Sequence, residues 1–87
     1  MTLETSPRAA HYADARLSIR EIEVFRAWAL APSRCDAARR LCLSEATVAT
    51  HMSRIRAKYL AAGRPARTTC TLLARALQDG IADLDEL

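Results

Sequence analysis

Thr50, Ser53 and Arg54 fall within five residues of one another, and their side chains suit one kind of chemistry. Two hydroxyls that donate or accept, beside a guanidinium that donates in a fork, are what a helix needs to read the edges of base pairs. They belong to a segment that opens Ser44-Glu45-Ala46-Thr47-Val48-Ala49-Thr50-His51, in which the serine is placed to cap a helix. At about 100° per residue, Val48, Met52, Ile55 and Tyr59 form one narrow apolar stripe that must face a core. Ala46, Thr50, Ser53 and Ala57 fall on the opposite side, with Ala49 and Arg56 on one flank and Arg54 on the other. Small residues on that face let a helix backbone sink deep into a groove, where methyls of Ala46, Ala49 and Thr50 can meet thymine methyls. The expected base-reading set is therefore Ala46, Ala49, Thr50, Ser53 and Arg54. Arg34, Arg39, Arg40, Thr47, His51, Arg56 and Lys58 sit on flanks or on the preceding segment and suit phosphate better than bases.

The elements that must position these groups are legible from caps and periodicity. Ser18-Ile19-Arg20-Glu21 is a capping box, and Ile22, Val24, Phe25, Trp28 and Ala29 recur at helical spacing until Pro32 biases Ala31 away from helix. Ser33-Arg34-Cys35-Asp36 reads as a second box, starting a short helix with Ala37, Ala38 and Leu41 inward. The corner at Cys42-Leu43 then delivers Ser44 and a third helix to about Leu60. Two short helices around a tight corner make the helix-turn-helix plan, whose second helix enters the DNA major groove. Many such corners hold glycine in the left-handed conformation, so Cys42 is expected either at positive φ or in a corner relaxed into an unusual shape. Ala61-Ala62-Gly63-Arg64-Pro65-Ala66 breaks the third helix. A fourth runs from about Thr68 to Asp79, with Leu72, Ala76 and then Ile81 available to the core and Gly80 as a stop. The expectation is an all-α, four-helix domain over residues 17–87, behind a flexible arm or linker at 1–16.

Composition agrees with this and excludes much else. Hydrophobic residues make up 51% of the 87-residue chain but aromatics only 5%, so helix formers dominate one small domain. The net charge of +3 conceals a strong partition. Residues 34–75 hold nine basic against two acidic side chains, whereas residues 76–87 carry four acidic and no basic ones. Positive charge thus coincides with the helix-turn-helix, where it would neutralise phosphates. No run of about 18 apolar residues could span a membrane, and no signal peptide is visible, so a cytoplasmic location is expected. Cys35, Cys42 and Cys70 form no C-x-x-C pair, and His11 and His51 stand apart from them, so reduced thiols and no metal or other cofactor are expected. No nucleophile, base and orienting group assemble, which argues against an enzyme.

Leu17-Ser18-x-Arg20-Glu21-x-Glu23-Val24-Phe25, followed by Ala38, Leu41, Leu43-Ser44, Thr47-Val48, His51, Ile55 and Lys58, resembles the LuxR/NarL type of helix-turn-helix domain, also called the GerE type. The resemblance runs from Leu17 to about Gly80. Arg54 to Tyr59, Gly63 to Ala66 and Arg75 to Gly80 further resemble output domains of actinobacterial response regulators. It implies a third helix that reads double-stranded DNA and a fourth that forms a homodimer. Such domains usually follow a receiver or sensor domain, so an output domain or a stand-alone regulator is expected, with RNA polymerase as a further partner. Leu73 and Leu77, four apart on one face of the fourth helix with Cys70 nearby, are the expected dimer strip. Departures from the family pattern include Ala49, where lysine is common, and a longer connection between the third and fourth helices. Two other readings compete: a promoter-binding region of a sigma factor, and a helical protein-interaction module that never touches nucleic acid.

Overall fold

The computed structural model describes residues 12–87. Four helices follow one another: α1 (Ile19–Leu30), α2 (Arg34–Leu41), α3 (Glu45–Ala61) and α4 (Thr69–Gln78), and then a single 3-10 turn at Leu84–Glu86. No strand occurs among the described residues, and the domain is all-α.

Each helix begins where a hydroxyl can take an end amide. The Ser18 hydroxyl accepts from the Glu21 N–H at 3.1 Å, and the Glu21 carboxylate accepts from the Ser18 N–H at 2.8 Å, completing the box. Ser44 and Thr68 cap α3 and α4 through the N–H groups of Thr47 and Thr71. The second expected box forms only in part. Ser33 accepts from the Asp36 N–H at 3.2 Å, but the Asp36 carboxylate takes the Ser33 hydroxyl at 2.8 Å instead of its backbone N–H. Aspartate is one methylene shorter than the glutamate that makes this reach in α1.

Three helices end in the same way. After α3, Gly63 at φ 75° lets its N–H reach the Leu60 carbonyl, while the Arg64 N–H reaches back to Tyr59. After α4, Gly80 at φ 71° does the same toward Leu77, and Ile81 toward Ala76. After α2 the left-handed residue is Cys42, at φ 56° and ψ 41°, with its N–H on Arg39 and the Leu43 N–H on Ala38. These are Schellman closures, in which one left-handed residue satisfies the last orphan carbonyls. The corner of the helix-turn-helix is thus built like the two glycine stops, with a side chain where glycine is easiest.

Val24, Phe25, Val48, Ile55, Tyr59 and Leu72 are fully buried and form the centre, where α1 packs against α2, α3 and α4. The Phe25 ring meets Trp28 at 5.9 Å and the edge of Tyr59 at 6.0 Å. Ala37, Ala38, Ala76 and Ile81 are buried as their spacing requires. Ile22 departs from the pattern: it is 40% exposed, while Glu21 beside it is buried. The reason is electrostatic, since Glu21 is held by its own cap and by Lys58 from α3 at 2.5 Å.

Residues 1–11 of the expected arm lie outside the described residues, as does His11. Residues 12–16 pack on the domain instead of extending from it. Ala15 is buried, and Arg64, from the connection between α3 and α4, clamps this stretch. The Arg64 guanidinium stacks on the Tyr12 and Tyr59 rings, 5.0 Å from each centroid, and donates to the Ala13 carbonyl at 2.6 Å. It also pairs with Asp79 at 2.7 Å. The Tyr59 hydroxyl donates to the same carboxylate at 2.6 Å. Burial, reinforced by that anionic acceptor, pushes the Tyr59 phenol well above its ordinary pKa. At the other end of the chain, Arg26 ties the 3-10 turn to α1 through Glu86 and through the Ile81 carbonyl at 2.8 Å.

Candidate nucleic-acid interface

The stripe and the groove face of α3 separate as their spacing requires. Val48, Met52, Ile55 and Tyr59 are buried, while Ala46, Ala49, Thr50, Ser53, Arg54, Arg56 and Ala57 are all exposed. The corner at Cys42 and the Ser44 cap set the angle at which this face is presented, beyond the end of α2. The five expected base readers therefore share one solvent-facing surface. Their polar groups are not equivalent. The Thr50 hydroxyl donates to the Ala46 carbonyl one turn earlier at 3.0 Å, which leaves its lone pairs free to accept. No hydrogen bond engages the Ser53 hydroxyl among the described residues, so it can donate as well as accept. Thr47 is exposed and shares a 2.9 Å hydrogen bond with the capping Ser44 hydroxyl. His51 is half-buried with its Nδ1 enclosed and unpartnered, so Nε2 is the ring nitrogen that can face a ligand. With the proton there, the ring can donate outward.

The family model described as bacterial regulatory proteins, luxR family, matches residues 15–69. The chain belongs to that family. This luxR-family domain is accordingly a DNA-binding, helix-turn-helix module of a transcription regulator. The match covers α1, α2, α3 and the following connection, and stops where α4 begins. No curated protein and no solved structure matches the chain.

Within the luxR-family domain, the basic residues differ in what engages them. Of the nine in the 34–75 segment, three are engaged in holding the fold. Lys58 is bonded to Glu21 and, at 3.3 Å, to the Arg16 carbonyl. Arg64 is the buried clamp. Arg75 donates twice to the Pro65 carbonyl, at 2.8 and 3.2 Å, and once to Gln78. Lys58 was expected at phosphate, but the spacing that puts it on the flank of α3 also puts it over the N-terminus of α1. There the buried Glu21 carboxylate competes for it. Burial alone would raise the Glu21 pKa, but the hydrogen bonds from Lys58 and the Ser18 N–H outweigh it and hold it below its ordinary value. Arg39 is in between, highly exposed and 3.6 Å from Asp36.

Arg34, Arg40, Arg54, Arg56 and Arg67 have no ion pair or hydrogen bond from their guanidinium groups among the described residues. The first four come from α2 and α3, the two helices of the motif. On α4, Leu72 and Ala76 are buried, Leu73 and Leu77 are half-buried, and Cys70 is exposed. The two half-buried leucines thus lie on a different side of the helix, about 100° from the core positions. No group of three or more metal-ligating side chains occurs among the described residues. None of their helices is long and apolar enough to cross a membrane.

Proposed function

We propose that the domain binds double-stranded DNA sequence-specifically, with α3 in the major groove and the face bearing Ala46, Ala49, Thr50, Ser53 and Arg54 toward the bases. Arg34, Arg39, Arg40 and Arg56, with Thr47 and His51, then meet the flanking phosphates, and Lys58 does not. The observation that carries this reading is the coincidence of the small, exposed face of α3 with Arg34, Arg40, Arg54 and Arg56, which no acceptor among the described residues engages. Thr50, as an acceptor, suits the amino group of adenine or cytosine, and the alanine methyls suit thymine. A second copy, joined through Cys70, Leu73 and Leu77 of α4, would give a two-fold complex on an inverted repeat with half-sites about one helical turn apart.

Selection of bound fragments from random duplexes tests the reading. An enriched inverted repeat is the expected result. Thr50→Ala and Ser53→Ala should each relax preference at one base position, at about 1–3 kcal/mol, without loss of fold. Leu73→Glu should abolish cooperative two-to-one binding while the domain remains folded. Unchanged specificity in both α3 variants would refute the groove face, and a one-to-one complex on an asymmetric site would refute the dimer.

A further inference from the structure

Beside the groove face lies a cleft of about 120 Å³ where α1, the start of α2 and α3 meet. Trp28 comes from α1, Arg34 from α2, and Ala49, Ser53 and Arg56 from successive turns of one flank of α3. The chemistry of this lining is one-sided. No carboxylate contributes to it, and both guanidinium groups lack an acceptor among the described residues. The Trp28 ring is anchored against Phe25, yet its indole N–H also has no acceptor among them. That N–H is not sealed inside the fold, so a ligand in the cleft can take it. Ala49 and Ser53 are short enough to leave the space between the two arginines open. Two guanidinium side chains and an indole on one cleft without a carboxylate suit an anion that offers only acceptors, and a phosphodiester is such an anion.

We propose that a single DNA backbone phosphate seats in this cleft, shared by Arg34 and Arg56 and hydrogen-bonded by the Trp28 indole N–H. The inference rests on the DNA-binding reading and deepens it. The cleft would fix the register of α3 on the duplex by gripping the strand at one point, from three helices at once. Trp28 would act there as a positioning residue that carries no charge and reads no base.

The salt dependence of binding to a mixed-sequence duplex separates the possibilities. Each phosphate neutralised contributes about 0.9 to the slope of log K against log salt. If Arg34 and Arg56 share one phosphate, the double variant R34Q/R56Q loses about 0.9 from the slope, whereas two separate phosphates would make the loss about 1.8. W28F should weaken binding about ten-fold at fixed salt with the slope unchanged, because a neutral donor releases no counterion. Replacing Trp28 with its sulfur isostere, benzothienylalanine, keeps the ring shape and removes only the N–H, and should reproduce the loss if W28F disturbs packing. Inorganic phosphate at matched ionic strength should not compete, and strong competition would mean a free-anion site instead. A loss near 1.8, or full affinity in both Trp28 replacements, overturns the shared cleft while leaving DNA binding intact. Failure of the unsubstituted domain to bind any duplex at low salt would overturn both readings together.

Discussion

Cys42→Gly should stabilise this domain, although the change deletes a side chain from the corner of its helix-turn-helix. A side chain in the left-handed region costs about 1–2 kcal/mol relative to glycine, and Cys42 sits there at φ 56°. Its thiol is exposed and its Schellman closure uses only backbone groups, so the substitution removes little packing. Glycine's greater freedom in the unfolded chain offsets about 0.5–1 kcal/mol of that gain. The net expectation is about 0.5–1 kcal/mol of added stability, a rise of a few degrees in Tm. Gly63 and Gly80 supply an internal control, since they hold the same closure and a Cβ built on either meets nothing within 4 Å. Gly63→Ala and Gly80→Ala should therefore cost about as much as Cys42→Gly gains, for the same backbone reason. Urea unfolding of the three variants at a common m-value measures this directly. DNA affinity of the Cys42 variant should stay unchanged, because the corner keeps its geometry. A Cys42→Gly variant no more stable than the parent, while both alanine variants lose stability, would refute the reasoning.

Three further outcomes follow from the engaged cations. Lys58→Ala should destabilise by about 1–2 kcal/mol in urea, discounted for its partial exposure, by leaving the Glu21 carboxylate with its cap alone. Once folded it should weaken DNA binding less than Arg54→Ala, and the reverse order would return Lys58 to the phosphate set. The Glu21 pKa lies below its ordinary value when folded, so its stabilisation is present above about pH 4.3 and is lost as pH falls through the lowered value. Glu21→Gln should be less stable at neutral pH and show a flatter acid limb in thermal unfolding, and parallel acid limbs would count against the pairing. Arg64→Met should cost about 3 kcal/mol, since it strips Asp79 and the Ala13 carbonyl of their donor and unstacks two rings. A variant within about 0.5 kcal/mol of the parent would mean that the clamp on residues 12–16 contributes nothing beyond an ordinary surface contact.

Much of the fold was legible because the forces that decide it are local. Ser18, Ser33, Ser44 and Thr68 each stand where a hydroxyl can reach an amide three residues ahead, and each one starts a helix. The α3 stripe needed only the helical repeat, and of the two shapes expected at the corner the structure takes the left-handed one, with Cys42 at φ 56°. The failures have local causes as well. The periodicity of α1 gave Ile22 an inward place, but its neighbour Glu21 takes the protected side because cap and lysine both hold its charge. The Ser33 box stayed half-made for want of one methylene on Asp36.

What the sequence concealed is long-range, and it bears on function more than on fold. Lys58 and Glu21 are 37 residues apart, and Arg64 binds Ala13 across 51. No spacing rule along a helix connects such pairs, so their charges look as free as any others in the basic segment. Lys58, Arg64 and Arg75 are held by carboxylates and carbonyls, so fewer basic side chains are free to reach a ligand than the count implies. Arg34, Arg40, Arg54 and Arg56, all on the two helices of the motif, have no ion pair or hydrogen bond from their guanidinium groups among the described residues. The cleft at Trp28 was hidden for the same reason: its walls come from three helices, and only their packing brings Trp28, Arg34 and Arg56 to one place. A charge counts toward DNA recognition when the fold leaves it without an acceptor, and that is a property of the tertiary structure.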